Sequence, residues 1–72
     1  MTTVDARGLS CPEPVLLARR AIQALGAGGD LEVLVDTVTS RENVLRTARS
    51  LGCTVDAEAT PEGGFRLRIR QA

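Results

Sequence analysis

The chain has 72 residues, nine of them arginine and nine acidic, with no lysine, no histidine and Phe65 as its one aromatic. A neutral chain without stacking rings lacks the excess cation that phosphates require and the platforms that single strands need, so direct nucleic-acid binding is excluded. No apolar run approaches membrane-spanning length and no signal-peptide pattern opens the chain, which implies reduced thiols, the cytoplasm and no membrane partner.

Residues 1–72 make one expected domain, near the size at which a single core is only marginally sufficient. Thr3–Arg7 alternates as a short strand, with Val4 and Ala6 on one face and Asp5 and Arg7 on the other. Gly8 breaks it, and Cys11-Pro12-Glu13-Pro14 leads into an apolar-periodic run to about Leu25. Proline suits the first helical turn, where its missing N–H would have no partner. Pro12 therefore reads as the first helical residue, with Cys11 at the N-cap beside the positive helix end, which favours a thiolate. Glu13 and Val15 then carry the nearest backbone donors. The alternative is Ser10 as the cap, with Cys11 a small apolar residue in the first turn.

Val15, Ala18, Ile22 and Leu25 recur at core-facing spacing, while Arg19, Arg20 and Gln23 face water. Gly26, Gly28 and Gly29 follow a helix and precede a strand, the reverse of a phosphate cradle, and read as a turn. Leu31–Asp36 is the second strand, with Leu31, Val33 and Val35 inward and Leu34 an exposed apolar candidate. Thr39 and Glu42 fit a capping box for a second helix over Ser40–Leu51, burying Val44, Leu45, Ala48 and Leu51 before Gly52 stops it. A third strand turns Val55, Ala57 and Ala59 inward, and a fourth turns Phe65, Leu67 and Ile69 inward. Thr60-Pro61-Glu62-Gly63-Gly64 predicts a type I turn followed by a left-handed glycine. That loop pairs Ala59 with Phe65 and Val55 with Ile69, and on the outer face Glu58 with Arg66 and Asp56 with Arg68.

The order βαβαββ gives an α/β two-layer sandwich, two helices on one face of a mixed four-stranded sheet. Arg66, Arg68 and Arg70 in one row need acids on both sides, and these are offered by Glu32 and Asp36 on strand two and by strand three. Strand four therefore goes between them, in the order 1-2-4-3. The arginine row then reads as a self-neutralised, solvated face, the alternative being an anion or partner site.

Val4-Asp5-Ala6-Arg7-Gly8-Leu9-Ser10-Cys11-Pro12-Glu13-Pro14-Val15 resembles the opening of the TusA/SirA/YedF family of small sulfur-handling proteins, marked by Cys-Pro-x-Pro. Leu31–Asp36 and Ser40–Val44 are closest to its YedF-like branch, associated with selenium metabolism. The resemblance spans essentially the whole chain and implies the same 1-2-4-3 sheet. It further implies a sulfurtransferase-type carrier in which Cys11 accepts sulfur from a cysteine desulfurase or similar donor and relays it to an acceptor protein.

The residues are compatible with that chemistry. Transfer needs a nucleophilic thiolate and no hydrolytic base, and the chain has no histidine to supply one. No cofactor is called for, and no metal site is expected without histidine or paired-cysteine spacing. The topology brings Cys11 to the same sheet edge as Asp36 and Arg41. Arg7 and Arg41 are the cations available to a thiolate, a persulfide or a partner, while Glu13 opposes ionisation. The plainer readings are a solvated Arg41 and an Asp36 that caps a loop. Cys53 shares the inward parity of strand three and is expected buried, at the opposite end from Cys11 and unbridged to it. The competing functions are a selenium-handling accessory and a non-catalytic adaptor in which Cys11 is only a cap.

Overall fold

The elements run β1 (Thr2–Asp5), α1 (Glu13–Ala24), β2 (Asp30–Val35), α2 (Val38–Ser50), β3 (Thr54–Ala59) and β4 (Phe65–Arg70). The computed structural model describes residues 2–9, 12–26 and 28–71. The sheet order is β1-β2-β4-β3, with β1 parallel to β2 and β4 antiparallel to both its neighbours. This is the order that the arginine row requires. Arg66 sits between Glu58, 2.9 Å away, and Glu32, 3.5 Å away, and Arg70 pairs with Asp30 at 2.9 Å. Asp36 lies past the end of β2 and takes no part in that face.

The helix-facing side of the sheet is the core. Leu31, Val33, Val35, Leu67 and Ile69 are buried against Ala18 and Ile22 of α1 and Val44, Leu45 and Ala48 of α2. Each large side chain so buried contributes about 1.5–3 kcal/mol relative to exposure. Val15 and Leu25 are only partly buried, packed on the rim of this cluster. Coverage also fades toward β3, where Val55 is half-buried but Ala57 and Ala59, expected inward, are exposed. Two helices do not span four strands, and β3 is the edge left over. Leu34, expected exposed, is half-buried between its register neighbours Asp5 and Arg66.

The hairpin follows its turn chemistry. Gly63 has φ 91° and donates its N–H to the Thr60 carbonyl at 3.1 Å, while Thr60 N–H donates to Gly64 at 2.9 Å. The register that results is Ala59–Phe65, Ala57–Leu67 and Val55–Ile69, as the loop predicts. Gly64 itself packs so closely that a Cβ there would lie 2.6 Å from the Val35 carbonyl oxygen. The hairpin tip is thereby seated on the end of β2.

The second helix begins earlier than its capping-box signature suggests. Thr37, not Thr39, is the N-cap, and its Oγ1 accepts the Ser40 N–H at 3.1 Å. Glu42 does not reach back to the cap and pairs with Arg41 instead. Both threonines are competent caps, but β2 ends at Val35, and Thr37 is extended at the point where the chain turns. At the other end Gly52 (φ 84°) donates to Arg49 and Cys53 donates to Ala48, both at 3.0 Å. This is a Schellman stop. It leaves Leu51, expected buried, 39% exposed at the C-cap.

Thr37→Ala is expected to lower stability by about 1 kcal/mol in urea unfolding, whereas Thr39→Ala stays within about 0.5 kcal/mol of the parent. Arg68→Glu, set between Glu32 and Asp56, is expected to cost about 0.5–1 kcal/mol or somewhat more by the same measurement.

Candidate functional site

Three loops meet at the carboxyl edge of the parallel strands. The β1–α1 loop leaves the sheet after Ala6, which is buried and still donates its N–H to the Leu34 carbonyl at 2.8 Å. The chain reverses at Gly8, φ 78°, whose N–H donates to Asp36 Oδ2 at 2.8 Å. Asp36 opens the β2–α2 loop, and the tip of the β3–β4 hairpin packs against that same turn through Gly64.

The motif divides its work among its members. Pro12, exposed, is the N-cap of α1, and its carbonyl accepts the Leu16 N–H at 3.1 Å. Helix α1 therefore starts at Glu13, one residue later than expected, because Pro12 supplies the acceptor that closes the first turn. The cap position foreseen for Cys11 is taken by Pro12. Both Ser10 and Cys11 lie outside the described residues. Glu13 is exposed, and Pro14 is fully buried. With prolines at 12 and 14, the first turn has amides only at Glu13 and Val15 among residues 12–15. Pro14 thus pins the helix start to the core, a packing role that a reading of proline as backbone punctuation misses.

The two arginines singled out by sequence each have a partner close by in the chain. Arg7 grips Asp5 through Nε and Nη2, each at 2.9 Å. Arg41 Nη2 lies 3.2 Å from Glu42, and its guanidinium sits 4.7 Å over the Phe65 ring. The partners lie two residues before Arg7 and one after Arg41, so each pairing is local and competes with any thiolate. Asp36 is placed at the edge as expected, but as an acceptor for the Gly8 amide. Beside the motif, Glu13, Leu16, Leu17 and Arg20 line a shallow open groove, with Leu16 49% exposed.

The model of the family described as sulfurtransferase TusA matches residues 2–71. The chain belongs to the TusA family. A protein of Methanocaldococcus jannaschii is 37% identical over 71 residues, 99% of this chain and 95% of its own length. The sulfur carrier protein TusA of Pseudomonas syringae pv. syringae is 37% identical over 68 residues, 94% of this chain and 81% of that protein. The crystal structure of a SirA-like protein from Desulfitobacterium hafniense superposes with a TM-score of 0.92 at 38% identity, covering 97% of this chain and 96% of that one.

Away from that edge, the other end of the sheet holds the second thiol. Cys53 is free and buried, and its Sγ–H donates to Gln71 Oε1 at 3.1 Å. Burial pushes its pKa up, so it is held as a neutral thiol. It precedes Thr54, which pairs with Arg70 opposite Asp30, at the amino end of β2. A larger shallow depression at that end is lined by Asp30, Thr54, Asp56, Arg68 and Arg70 and lies away from the motif. Among the described residues no group of side chains is placed to hold a metal ion, and no helix is long and apolar enough to cross a membrane.

The Arg7 fork holds the Asp5 carboxyl at about 2 against an ordinary 3.8, through the side-chain hydrogen bond first and the Arg7 N–H second. A carboxyl whose folded pKa is depressed contributes stability above its ordinary pKa and loses it as pH falls through the folded value. The Asp5–Arg7 pair is thus fully formed above pH 3.8 and dissolves as pH falls toward 2. An NMR titration of the Asp5 carboxyl is expected to give a midpoint near 2, with Arg7→Ala returning it toward 3.8.

Proposed function

We propose that this chain carries sulfur as a persulfide on Cys11, taking it from a donor protein and handing it to an acceptor protein. The reading is carried by the family match over residues 2–71 together with the Cys11-Pro12-Glu13-Pro14 sequence, whose last two residues open α1. A cysteine desulfurase, which bears a persulfide on its own cysteine, is the donor of fitting chemistry. The Cys11 thiolate attacks the outer sulfur of that persulfide, a new S–S bond forms, and the donor cysteine leaves as its thiolate. The acceptor repeats the exchange on Cys11. Neither step has a net oxidant or reductant, so neither requires a cofactor.

Several features suit such a handover. Pro12 and Pro14 fix the start of the helix that follows the cysteine in sequence. The absence of histidine removes the usual base that would activate water. An open edge with a shallow groove favours exchange between two protein surfaces over enclosure of a small substrate. The reaction belongs in a reducing compartment such as the cytoplasm, where Cys11 stays unoxidised between cycles. The likeness of Leu31–Asp36 and Ser40–Val44 to the YedF-like branch extends the reading to selenium as cargo. Sulfur is preferred, because the named curated relative is a sulfur carrier.

Incubation with a cysteine desulfurase and cysteine is expected to add one sulfur by intact mass, removable by reductant. Cys11→Ser abolishes the adduct with unchanged thermal unfolding, and Cys53→Ser loads normally. Addition of selenium from a selenium donor, with no sulfur from any of several desulfurases, would replace sulfur by selenium as the cargo. Acceptance of neither, with Cys11 titrating as an ordinary free thiol, would leave an adaptor role.

A further inference from the structure

We infer that Asp36 is the positioning residue of the Cys11 loop, acting through the backbone amide of Gly8. The inference rests on the reading of Cys11 as the sulfur-bearing residue and adds how its loop is held. Gly8 stands three residues before Cys11 and has a left-handed φ of 78°. Nothing lies within 4 Å of where its Cβ would be, and the neighbouring packing contact is that of Leu9, partly buried against the core. A glycine in open space samples more backbone conformations than any other residue, so its torsions do not by themselves aim the loop.

The restraint comes from across the sheet edge. Gly8 N–H donates to Asp36 Oδ2 at 2.8 Å, a contact between residues 28 apart in sequence. An amide bound to a carboxylate is among the stronger hydrogen bonds. Among the described residues, no other hydrogen bond ties Arg7–Leu9 to a different element, since the Arg7 N–H turns back to Asp5. Asp36 is itself well held. It follows the last residue of β2, precedes the Thr37 cap of α2, and lies under the hairpin at Gly64.

The nearby cations do not claim it. Arg7 pairs with Asp5 and Arg41 with Glu42, and no ion pair of Asp36 occurs among the described residues. Its carboxylate is therefore an acceptor aimed at one backbone amide. An asparagine at 36 offers an oxygen in nearly the same place without the charge, an alanine offers none, and a glutamate keeps the charge but displaces it by a methylene. Small misplacement of a reacting group is costly, so the alanine variant is expected to react about tenfold more slowly.

The test uses the full chain with Asp36→Asn, Asp36→Ala and Asp36→Glu. Two rates are read at Cys11, sulfur loading by a desulfurase with cysteine and donor-free alkylation by iodoacetamide, each beside a thermal unfolding curve. The expected pattern is a loss of about tenfold in both rates for Asp36→Ala, recovery to near wild type for Asp36→Asn, and little recovery for Asp36→Glu. Wild-type rates in a folded Asp36→Ala overturn the inference. So does the reverse order, in which Asp36→Glu reacts as wild type and Asp36→Asn as poorly as alanine, because charge rather than the Gly8 bond would then be acting. If Asp36→Ala does not fold, the asparagine–glutamate comparison decides, with hydrogen exchange of the Gly8 amide expected slow in wild type and Asp36→Asn and fast in Asp36→Glu. Failure of wild type to load, with alkylation still following the expected pattern, removes the carrier reading and leaves the positioning role standing.

Discussion

Everything in this molecule depends on β4 lying antiparallel between β2 and β3. The pairing sets Leu31 opposite Ile69 and Val33 opposite Leu67 on the side that the helices cover. On the other side the same strand sets Arg66, Arg68 and Arg70 among the acids of its neighbours. One register therefore satisfies the core and the charged face together, and a slip of one residue would invert both. The demand is severe in a chain this short, because its helices leave one strand face to water.

The helix connections follow from that arrangement. From β1 to β2, and from β2 across β4 to β3, the sheet grows in one direction, so right-handed crossovers put α1 and α2 on the same side. Both strand-to-helix turns then open at one edge, and the β3–β4 hairpin arrives there because β4 runs antiparallel to β2. The edge where Asp36 meets Gly8 is thus a product of topology, with Gly64 seating the hairpin against it. At the far end Gln71 exchanges backbone hydrogen bonds with Gly28 and Gly29 and accepts from Cys53, closing the sheet where the chain leaves it.

What could be read from sequence was what local chemistry over-determines. Pro61 and Gly63 fix the hairpin register, and three arginines in a row cannot be central without acids on both flanks. The start of α2 was not legible, because Thr37 and Thr39 are equally good caps and Glu42 completes a plausible box with the wrong one. The end of β2 decides between them, and that is a tertiary fact. The exposure of Ala57 and Ala59 is tertiary too, since strand alternation says which face a residue takes but not how far a helix reaches over it. The local partners of the two cations were hidden for a related reason. Charge and sheet edge are visible in sequence, whereas the preference of Arg7 for Asp5 and of Arg41 for Glu42 and Phe65 is decided by side-chain reach. Asp36 was legible as a residue of the edge, but not as the acceptor for an amide 28 residues away.

On the proposed reading, in which the cargo rides on Cys11, the placement of the second thiol has a chemical consequence. A persulfide is discharged by any thiolate that reaches it, and attack at the inner sulfur would close a disulfide and expel hydrosulfide. Cys53 is the one thiol besides Cys11 in the chain. It sits at the amino end of β3, beside the Asp30 end of β2, whereas Gly8 is tied to Asp36 past the other end. A six-residue strand is about 20 Å long, several times the reach of a disulfide. Burial raises the Cys53 pKa, and the bond to Gln71 occupies its proton. Distance and protonation therefore act together, and the topology that gathers the loops at one edge also withholds the internal thiol from them.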